Sequence, residues 1–403
     1  MKLFQRLLVA PAALGLMAPL AANADVTAIS KDSDLNSDTE VIQARVDGVE
    51  AQLGEFMAGQ FTETTTLDGK GYFVLGAVDD ETHSGTTAKE ETTFNYTYQL
   101  NLNSSFTGRD NLYTRIKTGN FTKDTQFADK SGGAYLSAAN DKGNALTVDK
   151  LWYRFPLGDD LTVWVGPKIE NYYMLASSPS IYRPITKQFA LGGNGSAYGS
   201  STSPGFGVAY TQAVEDPSEG RFALSANYTA KEGDHADSGL GFGGDNAKGF
   251  FLSKLEYGTP RWQVSGALSK KTAPTTAANG YDGYFHSAAA KATKGDLSAY
   301  ALRAYWKPEV TGTIPEITVG YDFADYEQAV AGEAESTSGW MIGLGWRDLL
   351  VDGNSAGFAY GSRQSATSYK GTSTTDPAED NTVWEAYYTF KINDGVSVTP
   401  AVF

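Results

Sequence analysis

The stretch Phe94-Asn-Tyr-Thr-Tyr-Gln-Leu-Asn-Leu-Asn-Ser-Ser-Phe106 puts Phe94, Tyr96, Tyr98, Leu100 and Leu102 on one parity and Asn95, Thr97, Gln99, Asn101 and Asn103 on the other. Side chains alternate faces along a β-strand, so this period of two gives one aromatic and aliphatic face and one face made wholly of hydrogen-bonding groups. Such a strand separates two solvents. Its apolar face meets either a protein core or lipid, and in the second case the amide face lines water. The segment alone fits both.

The chain around it decides. From Leu67 onward the same alternation recurs, and fifteen strands can be counted, from Leu67, Phe73 and Leu75 in the first to Val396 and Val398 in the last. After every even-numbered strand the link is short and built of turn residues: 107–111, 158–160, 215–220, 258–260, 307–315, 347–354 and 393–395. After every odd-numbered strand it is long: 79–91, 120–145, 169–204, 230–248, 271–295, 326–337 and 362–381. A soluble sandwich has no reason to sort its loops by parity. A transmembrane barrel does, with tight turns at one end and long loops at the other. Phe106, Phe155, Tyr257, Trp262, Trp306 and Trp346 all lie close to the short turns, as an interfacial aromatic girdle would. The reading is therefore all-β, an antiparallel transmembrane barrel.

Composition agrees. The 403 residues include 23 Tyr, 20 Phe, 44 Gly and no Cys, so no disulfide framework is available. No internal run is long and apolar enough for a transmembrane helix, so any membrane role falls to strands. The formal charge of -15 argues against nucleic acid and anionic headgroups as partners.

Residues 1–24 read as a cleaved secretory signal: Lys2 and Arg6 precede an apolar run that closes on Ala22-Asn23-Ala24. Residues 25–38 read as a polar linker; Asp32, Asp34, Asn36 and Asp38 imitate a calcium loop, but Ser37 and Gln43 occupy its Gly and Glu positions. In 39–58, Ile42, Val46, Val49, Leu53 and Phe56 recur at heptad spacing, predicting a short coiled-coil-like helix that a larger assembly would hold. The barrel is expected over 60–403. An odd strand count leaves an open edge in lipid. The expectation is a fragment lacking a sixteenth strand, a miscount by one, or a segment near Gln60 pairing in its place.

Nothing predicts catalysis or a cofactor. His83, His235 and His286 fall in separate long loops without a nucleophile or metal-ligand spacing. The run Gly239-Leu-Gly-Phe-Gly-Gly244 matches a dinucleotide pattern but has no helix after it. The informative residues are those of the polar face. Parity puts Lys70, Asn95, Gln99, Asn101, Arg115, Lys117, Lys150, Arg154, Lys168 and Arg303 on the lumen side, with Asp322, Glu256 and Glu385 of opposite sign. A charge on the lipid face at mid-depth would cost about 2–4 kcal/mol, which supports that assignment. The longest loop, 169–204, carries Tyr172, Tyr173, Tyr182, Arg183 and Lys187 and is expected to fold inward as a constriction, or else to lie outward as a trimer latch.

Four segments, Met1-Lys-Leu-Phe-Gln-Arg-Leu-Leu-Val-Ala-Pro-Ala-Ala-Leu-Gly15, Arg45-Val-Asp-Gly-Val-Glu-Ala-Gln-Leu53, Gly69-Lys-Gly-Tyr-Phe-Val-Leu-Gly76 and Val165-Gly-Pro-Lys168, resemble the carbohydrate-selective (OprB-type) porins, in particular those of marine cyanobacteria. The resemblance implies a sixteen-stranded homotrimeric barrel in the outer-membrane lipid, passing small hydrophilic solutes. Two departures stand out. The surface-layer homology domain of those porins is replaced by 25–39, and the family pattern continues beyond Val398-Thr-Pro-Ala-Val-Phe403 into another strand. The alternative expectation is a structural barrel linking envelope layers, with conduction incidental.

Overall fold

The computed structural model describes residues 60–62, 64–79, 90–122, 126–128, 133–193, 195–199, 202–216, 218–274, 293–371 and 382–403. The expected signal, linker and helix, with His83 and His286, lie outside these residues. The described residues belong to one compact unit, Gly59–Phe403.

Among the described residues fourteen long strands follow one another: β2 (Thr65–Gly76), β3 (Thr93–Ser104), β4 (Asn111–Gly119), β5 (Thr147–Leu157), β6 (Leu161–Ile169), β7 (Ser203–Thr211), β8 (Arg221–Ala230), β9 (Gly249–Gly258), β10 (Trp262–Thr272), β11 (Leu297–Trp306), β12 (Glu316–Tyr326), β13 (Ala334–Arg347), β14 (Ser355–Tyr369) and β15 (Thr382–Lys391). Each pairs antiparallel with the next. A short β1 (Gln60–Thr62) precedes them, and β16 (Ser397–Val398) and β17 (Ala401–Val402) follow. Thr399 and Pro400 separate β16 from β17, and both pair with β15, so they act as one interrupted strand.

All fifteen expected strands are present, the first as β2 and the last as β16 with β17. Two expectations are corrected. The segment at Gln60 does form a strand, but it pairs with β2, Gln60 opposite Thr66, and not with the C-terminal strand. The links expected at 326–337 and 362–381 are shorter, because β13 begins at Ala334 and β14 runs on to Tyr369. Register irregularities between Ala334 and Trp340 carry that extra length, which is why alternation failed to show it.

The outer face is apolar on every long strand. Phe73, Phe94, Val165, Phe206, Leu255, Leu302 and Tyr321 are exposed, Phe73 at 77%. A soluble protein does not leave so continuous an apolar band in water. At the short-turn end, rings meet from strand to strand: Phe222 and Tyr257 at 4.5 Å between centroids, Tyr257 and Trp262 at 5.7 Å, and Trp262 directly opposite Trp306.

The two ends of the ladder approach each other through one side chain. Phe127, in the link after β4, packs edge-on to Phe403 at 6.4 Å and sits where Gly76 of β2 leaves room. Among the described residues no ladder rung joins β1 or β2 to β16 or β17.

Candidate functional site

The loop between β6 and β7 is held by the polar faces of strands from β4 round to β15. At its start Asn171, fully buried, donates to Asn227 Oδ1 (2.7 Å) and to the Phe250 carbonyl (3.1 Å), and accepts from Thr229 Oγ1 (2.9 Å). Further on, Ser177 accepts from Lys254 Nζ (3.1 Å) and Gln263 Nε2 (2.8 Å). Glu385 on β15 accepts from Tyr182 OH (2.9 Å) and from the backbone N–H of Ile185 (3.0 Å) and Thr186 (2.7 Å). Arg303 Nε donates to the Leu191 carbonyl (2.8 Å), while its Nη2 makes a bidentate pair with Asp322 (2.9 and 2.8 Å). The Ser196 N–H reaches Gln364 Oε1 (2.6 Å), and Lys271 Nζ reaches the Gly199 carbonyl (2.9 Å). One loop can touch the same face of all these strands only if the sheet curls around it.

Close approach requires glycine at the loop tip. Leu191 and Gly192 are both left-handed, φ 55° and 79°. A Cβ on Gly195 would strike the Asp322 carboxylate, and one on Gly320 of β12 would strike the Gly192 carbonyl. With loop and wall in contact, the lumen face of β9 to β14 becomes a dry core of Leu252, Leu297, Ala299, Ala301 and Ala324 around Tyr198 of the loop.

The expected lining residues therefore divide. Arg303 and Glu385 point inward as parity predicted, but the loop covers them, with 3% and 0% of their surface exposed. They hold the loop and do not face pore water. Tyr182 is buried with them, and burial followed by the Glu385 charge pushes its phenol well above the usual range, so it stays a donor. Arg183 is exposed, and its carbonyl accepts from Tyr387 OH (2.7 Å). The Lys187 N–H bonds to the Tyr135 carbonyl (2.7 Å), which joins this loop to the link after β4. Asn95 lies buried on the wall of β3.

Lys168 is a correction. A register shift in the β5–β6 pairing, between Leu151 and Tyr153, sets Lys168 opposite Leu151, and directly paired residues share a face. Leu151 is on the apolar side, so Lys168 projects outward at the end of β6, where it is exposed. Parity counted from Val165 cannot see a bulge.

The remaining residues gather on β2 to β5. Asn101 and Asn103 donate to Asp68. Arg115 binds Asp149 through Nε (2.7 Å) and Nη2, and Tyr173 OH through Nη1 (3.1 Å). Lys150, 3% exposed, pairs with Glu170 of the loop at 3.1 Å. Asp149 was not expected here, because alternation sends it outward. A bulge between Arg115 and Ile116 on the partner strand turns both Asp149 and Lys150 inward. Beside this cluster runs a stack of rings, Tyr113 on Trp152 (4.8 Å), Trp152 near Tyr173 (6.1 Å) and Tyr173 on Tyr172 (4.9 Å). Burial pushes the Tyr173 phenol up to about 12, so it donates at any physiological pH. Lys70 and Arg154 remain exposed on the inner face, and Gln99 and Lys117 are half-buried.

Residues 21–403 match the family described as carbohydrate-selective porin, OprB family. The chain belongs to that family. A high-pH structure of Pseudomonas putida OprB superposes on this porin with a TM-score of 0.53, at 14% identity, over 84% of this chain and 88% of the other. Salmonella typhi OmpF in complex with daunomycin also gives 0.53, at 11% identity, over 84% and 90%. At such identities these likenesses establish the fold, a porin barrel. An uncharacterized protein of Synechocystis sp. is 25% identical over 91% of this porin and 69% of its own length.

Proposed function

We propose that this porin sits in the bacterial outer membrane, of cyanobacterial type, as a passive diffusion channel for small hydrophilic solutes, carbohydrates or inorganic ions, without cofactor or turnover. The observation that carries this reading is the uneven filling of the lumen. Under the loop, the inner face of β9 to β14 is dry, while Asp68, Lys70, Gln99 and Arg154 on β2 to β5 keep contact with solvent. The water path therefore follows β2 to β5, past the Arg115–Asp149 pair and the loop residues Tyr172 and Tyr173.

Family membership supports carbohydrate among the cargo, and the site has suitable chemistry. Aromatic faces pack against the C–H faces of a sugar ring, while Arg115, Asp149 and Asn101 offer donors and acceptors for hydroxyls. The wide apolar exterior suits lipid together with neighbouring copies, and a homotrimer is the assembly this reading expects.

Planar-bilayer recording of the purified full chain tests the proposal. Discrete conductance steps are expected, with swelling of protein-loaded liposomes in sugar solution. A bilayer that stays silent at protein levels sufficient for insertion overturns it.

A further inference from the structure

Strand register brings two lysines to either side of one amide. Lys70 on β2 is directly opposite Gln99 on β3, and Gln99 is directly opposite Lys117 on β4. Directly opposed residues share a face, here the inner one, with Cβ atoms about 5 Å apart. Two such steps separate the lysine backbones by roughly 10 Å. Both side chains are long enough to reach over Gln99.

The charges around this row are unequally matched. Among the described residues, Asp149 is engaged by Arg115, and Glu170 by Lys150. Asp68, one row nearer the short turns, is held by Asn101 and Asn103. Lys117 lies within electrostatic reach of Arg115, Lys150 and Lys187 as well as Asp149. Among the described residues neither Lys70 nor Lys117 has a carboxylate within salt-bridge distance, Asp149 being held by Arg115. Two ammonium groups and an amide N–H₂ thus lie in one cross-strand row of β2, β3 and β4, Lys70 exposed and Gln99 and Lys117 half-buried, in a chain whose formal charge is -15.

We propose that Lys70, Gln99 and Lys117 form a cross-strand binding site for a small inorganic oxyanion, of the phosphate or sulfate class, on the route through the pore. A tetrahedral oxyanion offers several acceptor oxygens at once and can take a hydrogen bond from each donor. Chloride is a single point and gains less from the amide. The site deepens the channel reading above, since it places a charged solute at a fixed station on the same path.

Binding is read without reference to conduction. Inorganic phosphate is titrated into the detergent-folded full chain and followed by ³¹P line broadening, with sulfate as competitor. Saturable broadening that sulfate reverses is expected in the wild type and in R261A, a charge-loss control at a turn. The double variant K70A/K117A should bind at least about tenfold more weakly, as loss of hydrogen bonds to a charged group implies. K70A and K117A singly should fall between. Absence of saturable broadening in the wild type overturns the site, as does equal affinity in the double variant. In parallel bilayers, channel steps with no phosphate-dependent block also count against it, whereas silence there with intact phosphate binding overturns the channel reading alone.

Discussion

Asp110 lies in the turn between β3 and β4, where its carboxylate accepts from Ser105 Oγ (2.8 Å), the N–H groups of Phe106 (3.0 Å) and Thr107 (2.8 Å), and Tyr153 OH (2.6 Å). The Tyr153 hydrogen bond, followed by those from Thr107 and Ser105, holds this carboxyl well below the usual range. A depressed carboxylate contributes stability that is fully present above its unfolded pKa of about 3.9 and is lost as pH falls through its folded value. D110N should therefore unfold at lower denaturant than the wild type at pH 7, by a margin that shrinks only below about pH 4. A margin already gone at pH 6 would show that the carboxylate charge is not the cause. At the loop tip, G320A drives a methyl into the Gly192 carbonyl. We expect a loss of about 1–3 kcal/mol, read as a lower unfolding midpoint. E385A leaves the donors of Tyr182, Ile185 and Thr186 without their acceptor and frees that stretch of loop. Its channels should be noisier and of larger conductance than the wild type, and unchanged traces would count against the loop as the constriction.

The elements that matter most are the irregular ones. Deleting Asp149 removes the extra residue of β5, leaving Lys150 opposite Arg115 and Val148 opposite Ile116, as they already are. The barrel should fold, and Arg115 loses its carboxylate. Reversal potentials in a salt gradient should then shift toward anions, and a shift toward cations would contradict the charge assignment. Regular strands were legible from sequence because lipid on one side and water on the other enforce alternation, as in β3 from Phe94 to Asn103. Bulges were not, since Asp149 and Lys168 change face through a register shift that leaves no mark on the hydrophobic pattern. The fate of Arg303 and Glu385 was equally hidden. Parity gives the face of a side chain, whereas only the path of a distant loop tells whether that face is wet.

Across the whole molecule, one aromatic contact spans the ends of the ladder. F403A removes the ring packed on Phe127, an interaction of about 0.5–1.5 kcal/mol beyond the area it buries. Its folded band on an unheated gel should convert to the unfolded form at a lower temperature than the wild type. The anchoring of the loop has a temporal side. Tyr182 and Thr186 bond to a carboxylate about two hundred positions later in the chain. Bringing such remote positions together has a large closure entropy, which is recovered only when both partners are in place. During assembly the strands up to β14 can zip pair by pair, but the Tyr182–Thr186 stretch of the loop cannot be fixed until β15 arrives. An arrested intermediate short of β15 would leave that stretch of the loop without its carboxylate anchor, and its docking would coincide with the end of biogenesis.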